Sequence, residues 1–87
     1  MSAVLTYLAR RQASGSLEDC PLPELYQLAR GESAKLSLGQ FHDGLRRLRE
    51  SQRIYLHPWT GPLYEIPEPA VALLVGHEIA YYASLRQ

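Results

Sequence analysis

Between Leu36 and Phe41 the sequence carries a start signal for a helix that leaves this stretch few alternatives. Ser37 and Gln40 have the spacing of a capping box, in which each side chain satisfies a backbone N–H that the first helical turn cannot bond internally. Leu36 and Phe41 occupy the two positions of a hydrophobic staple around it. Phe41, Leu45 and Leu48 then recur at intervals of four and three and so share one face, while Asp43, Arg46, Arg47 and Glu50 project from the opposite side. The pattern predicts a helix to Ser51 or Gln52 whose single apolar stripe has to be covered by other elements.

Two such elements lie upstream. Ser2 is placed to cap a first helix with Val4, Leu5 and Leu8 on one face, ending before Ala13-Ser14-Gly15-Ser16. Pro21 and Pro23 suit the first turn of a second helix, where a missing N–H costs nothing. Leu25, Leu28 and Ala29 form its inner stripe and Gly31 reads as its stop, giving roughly residues 22 to 30. Downstream, Arg53 to His57 alternates like a strand, Pro58-Trp59-Thr60-Gly61-Pro62 is turn material, and Leu63 to Ile66 reads as the returning strand of a β-hairpin. Pro67 and Pro69 end that strand and open a last helical segment, Ala70 to Leu85, which Gly76 can bend or divide.

With 87 residues and 46% apolar side chains, the chain can build one core and has enough apolar surface to offset the entropy of ordering it. No repeat or low-complexity tract divides it. The expectation is one domain over residues 1–87, with a core over 1–66 and a C-terminal helical segment over 67–87. Its fold class would be predominantly α with a small β-hairpin.

Three helices followed by a β-hairpin is the element order of the winged helix-turn-helix superfamily, and residues 22–66 resemble its second helix, third helix and wing. The link from Gly31 to Leu36 is longer than the ~3–4 residue turn of the tight helix-turn-helix. The resemblance implies a three-helix core, a β-hairpin wing, and a third helix serving as recognition helix in the major groove of double-stranded DNA.

The formal charge is zero, so no whole-molecule field draws in a polyanion, but its distribution is uneven. Residues 1–53 hold eight of the nine cations against six acids, whereas residues 54–87 hold Arg86 alone against Glu65, Glu68 and Glu78. A single cysteine, Cys20, makes no internal bridge, which fits a reducing compartment. The N-terminus lacks the pattern of a signal peptide and no apolar run approaches the ~20 residues that span a bilayer, so the expectation is a cytoplasmic chain without membrane association.

Motifs for catalysis fail on inspection. His77-Glu78-Ile79-Ala80-Tyr81 begins like a zinc-peptidase helix, but Tyr81 stands where the second histidine is required. Gly39 and Gly44 have P-loop spacing, yet Leu45 and Arg46 replace the residues that hold phosphate and magnesium. Cys20, His42, His57 and His77 are 22, 15 and 20 residues apart, without the local pairs of structural zinc sites. Gly31-Glu32-Ser33-Ala34-Lys35 lacks the closing glycine of a nucleophile elbow. No enzyme activity, cofactor or metal is expected.

Two binding classes remain open. On the nucleic-acid reading, Gln40 and Arg46 or Arg47 reach base edges, since Gln pairs with adenine and Arg with guanine, while Lys35, Ser37 and the free N–H groups of the helix start hold phosphates. Against it, Asp43 can pair with Arg46 and Arg47, Arg46 with Glu50, and the expected wing from Ile54 to Ile66 contains no Lys or Arg. On the protein-interaction reading, Trp59 at the hairpin tip and the Tyr81-Tyr82 pair are the anchors, because large amphipathic rings dominate interface energetics. The apolar terminal helix would then pack on the first helix or pair two copies in a homodimer.

Overall fold

The computed structural model describes residues 2–15 and 19–86. In chain order the elements are α1 (Ser2–Ala13), β1 (Cys20–Pro21), α2 (Leu22–Glu32), α3 (Leu38–Glu50), β2 (Ile54–Pro58), β3 (Leu73–Val75) and β4 (Glu78–Leu85). Two 3₁₀ turns, Leu63–Glu65 and Pro69–Val71, lie between β2 and β3. The side chain of Ser2, expected to cap α1, and the loop residue Ser16 lie outside the described residues.

α3 begins where the capping signature places it. The Ser37 hydroxyl accepts from the Gln40 backbone N–H at 3.1 Å, and the Gln40 side-chain carbonyl accepts from the Ser37 N–H at 2.9 Å. It ends in a Schellman motif: Arg53 N–H donates to Leu48 C=O at 2.9 Å and Gln52 N–H to Arg49 C=O at 3.0 Å. That closure puts Gln52 at φ 62°, the left-handed position usually filled by glycine. α2 runs through Gly31 to Glu32, so Gly31 lies in the last turn rather than ending the helix.

β4 organises the rest. It pairs antiparallel with β2 along one edge and with β1 and β3, placed end to end, along the other. Ile54 faces Leu85, Leu56 and Cys20 face Ala83, and Leu73 faces Ala80. The side chains of Ile54, Cys20, Leu73, Ala80 and Ala83 join Val4 and Leu8 of α1, Leu22, Leu25 and Ala29 of α2, and Phe41 and Leu45 of α3 in one buried cluster. Phe41 is fully buried and packs against the Tyr26 ring at 5.1 Å.

The fold therefore differs from the expected one in two places. Leu63–Glu65 is a 3₁₀ turn, so β2 has no partner there and the hairpin wing over 54–66 does not form; the partner of β2 is β4. The segment Ala70 to Leu85 is a β3–β4 hairpin preceded by a 3₁₀ turn, not a helix, and the helical surface expected to pair two copies does not exist. Among the described residues the architecture is α+β, three helices and a four-stranded antiparallel sheet, in place of a predominantly α winged helix-turn-helix with a C-terminal helix.

The reason is local and physical. Val75 pairs with Glu78, leaving Gly76-His77 as a two-residue loop with positive φ, 61°, at the glycine alone, the pattern of a type II′ hairpin turn. Further along β4, His57 pairs with Tyr82 but Pro58 with Ala80, so Tyr81 is the extra residue of a β-bulge. The bulge shifts the side-chain phase, bringing Ala80, Tyr81 and Ala83 all into buried positions. Burial at that spacing breaks the period of two that marks a strand and imitates a helical stripe.

Candidate functional site

Tyr7 and Arg11 are one turn apart on α1 and reach the same acceptor, Glu24 in the first turn of α2. The Tyr7 hydroxyl donates to Glu24 Oε2 at 2.6 Å and Arg11 Nη1 at 3.1 Å, and the Cys20 thiol on β1 donates to the same oxygen at 3.1 Å. The Tyr7 and Cys20 hydrogen bonds, helped by the Arg11 charge, hold the Glu24 carboxyl below its ordinary value. Its negative charge raises Tyr7 in turn, chiefly through their shared hydrogen bond. Burial, reinforced by Glu24, pushes the Cys20 thiol up to about 12. A thiol so rarely ionised at neutral pH is a structural donor rather than a nucleophile.

The other half of the site comes from the sheet. Tyr55 pairs with Ser84 and His57 with Tyr82, which places all four side chains on the face opposite buried Ile54 and Ala83. His57 Nε2 lies 2.8 Å from Ser84 Oγ and 3.7 Å from Asp19 Oδ1. The three residue types of a hydrolytic triad are present, but serine and acid converge on the same ring nitrogen. A relay needs them on opposite nitrogens, so the three residues do not form a triad.

Trp59 follows β2 directly and closes this face. Its backbone N–H donates to Ile79 C=O at 2.9 Å, and its indole N–H donates to Pro62 C=O at 2.9 Å. Its ring stacks beside Tyr82, 6.3 Å between centroids and 12° between planes, and meets Tyr81 edge-on at 5.2 Å. Tyr55 and His57 extend the aromatic row at 6.2 Å, and the Arg86 guanidinium caps Tyr55 at 5.4 Å. Between the two halves lies a cleft of about 640 Å³, lined by Arg11, Asp19, Pro21, Glu24, His57, Pro58, Thr60 and Tyr82.

Of the residues expected at a protein interface, Trp59 and Tyr82 stand together on this outer face, half-buried. Tyr81 is only 4% exposed; its hydroxyl donates to Pro67 C=O, and it supports Trp59 from beneath the surface. Of the residues expected to contact nucleic acid, Ser37 and Gln40 spend side-chain groups on the capping box. Arg46 lies 3.6 Å from Asp43, while Lys35 and Arg47 are exposed. Tyr55 and His57 could have been found by reading the strand Arg53–His57 one residue in two, together with Trp59. Nothing local announces Tyr7, Arg11, Asp19 or Glu24, whose meeting depends on how α1 and α2 pack.

Among the described residues no cluster of His, Cys, Asp or Glu could hold a metal ion, and no helix is long and apolar enough to cross a membrane. In comparisons with known proteins, no family model, no curated protein and no solved structure matches the chain.

Proposed function

We propose that this chain is a non-enzymatic binding module of the cytoplasm that engages another protein through the outer face of its sheet. The observation that carries the reading is the row of partly exposed rings, Tyr55, His57, Tyr82 and Trp59, on that face. Such side chains offer a large apolar area with few rotatable bonds and a polar tip, the profile of interface anchors. Beside Trp59, and tied to it through the Pro62 carbonyl, the 3₁₀ turn presents Leu63 and Tyr64 at 61% and 87% exposure. No Lys or Arg occurs from Ile54 to Leu85, so among the described residues this surface meets a phosphate backbone with Arg86 over Tyr55 and with Arg11 beside Glu24, too few cations to track a polyanion.

Panning a random-peptide library against the wild type and, in parallel, against Tyr82→Ala tests the reading. Peptides enriched on the wild type and lost on Tyr82→Ala support it. Identical enrichment on both proteins, or none on either, overturns it.

A second reading, binding of double-stranded DNA by α3, is favoured by one observation: among the described residues Arg47 and Arg49 are exposed and make no ion pair. Its test is a salt titration with duplex DNA. Roughly micromolar binding that weakens steeply with salt and vanishes in an Arg46→Ala, Arg47→Ala double variant would put this reading first.

A further inference from the structure

From the walls of the cleft we infer that it is the docking site for a proline-rich peptide segment in the polyproline II conformation, carrying a basic residue at the Asp19 end. This deepens the outer-face reading and rests on it. The polyproline II helix is extended and preformed, and its proline rings pack on grooves lined by aromatic side chains at little entropic cost. Tyr82 and His57 supply the aromatic wall, Thr60 the rim, and Trp59 stands nearly parallel to Tyr82 as its extension.

Charge decides between this ligand and the main competitor. Aromatic rows on sheets also stack the bases of single-stranded nucleic acids, but those sites track the backbone with cations. Among the described residues lining the cleft, Arg11 is the one cation of fixed charge, and it already lies 3.1 Å from Glu24. Asp19 lies 3.7 Å from the His57 ring, and with Arg11 beside Glu24 it leaves the described lining of the cleft with an acid in excess. Arg86 stands at the far end of the row over Tyr55, so the field runs from acidic at Asp19 to basic at Arg86. A polyanion would meet the acid; a Lys or Arg flanking a proline run would be paired by it.

Trp59 is the only tryptophan and stacks beside Tyr82 of the cleft wall, so its fluorescence reports on changes at that wall. The probe is a synthetic peptide with a PxxP core and an arginine at one end, titrated into the intact chain. Three controls accompany it: the same peptide without arginine, a proline-free peptide of equal composition otherwise, and a single-stranded oligothymidine. The expected result is a saturable spectral change with the first peptide, weakened at least about tenfold by Tyr82→Ala. Asp19→Lys should weaken the arginine peptide about threefold to fivefold and leave the arginine-free one unchanged. Thr60→Arg, at an exposed rim position away from the core, should block binding even if Tyr82→Ala disturbs folding.

Failure takes distinguishable forms. No spectral change up to about 1 mM of the arginine peptide overturns the inference. So does equal binding of the proline-free peptide, which would leave the outer face standing as a protein-binding surface. Stronger binding of the oligothymidine overturns both readings at once.

Discussion

Gln52 and Glu24 show how single residues set the stability of this domain. Gln52 holds φ 62° because the Schellman closure of α3 demands it, and a side chain with a Cβ is strained there by roughly 1 kcal/mol. Gln52→Gly should therefore stabilise the fold by about 0.5–1 kcal/mol, read as a shift of the urea midpoint without a change in slope. Glu24 acts through charge. Its carboxyl is held below the ordinary 4.5, so the folded state gains stability from it above that value and loses it as pH falls through the depressed one. Cys20 acts at the other extreme: raised from 9.0 to about 12, it costs stability as pH climbs through that interval, where the unfolded thiol ionises and the folded one does not. Thermal melts across pH should show both limbs. Glu24→Gln should lower the melting temperature at pH 7 and converge with the wild type in acid, while Cys20→Ala should flatten the alkaline limb.

At the level of elements, two turns carry the topology. The capping box starts α3 without help from elsewhere, and Ser37→Ala should cost about 1 kcal/mol in a denaturant melt by removing one of its two hydrogen bonds. Gly76 does for the β3–β4 hairpin what Ser37 does for α3. At φ 61° it supplies the backbone twist that joins two antiparallel strands through two residues, and open space surrounds its Cα, so a methyl group there meets only backbone strain. Gly76→Ala should destabilise by about 1–2 kcal/mol; a helix through this segment would instead be stabilised by the same change, so the sign of the effect in equilibrium unfolding separates the two structures.

For the whole molecule, β4 is the strand on which the others assemble, although it comes last in the chain. It pairs with β1, β2 and β3, and Ala80 and Ala83 close the core beneath α1, α2 and α3. A chain truncated after Val75 should lose cooperative unfolding altogether, as judged by near-UV circular dichroism and by a flat thermal scan, since removal of the central strand opens the core from end to end. Legibility in the sequence follows the range of the interactions. The three helices, the strand at Ile54 and the apolar stripe through Phe41 and Leu45 were determined by the sequence itself, because capping, proline placement and side-chain period act over three or four residues. The partner of β2, the bulge at Tyr81 and the meeting of Tyr7 and Arg11 with Glu24 were decided only by tertiary structure. Each depends on segments 13 or more residues apart finding one another, and the bulge erases the very alternation by which a strand would have announced itself.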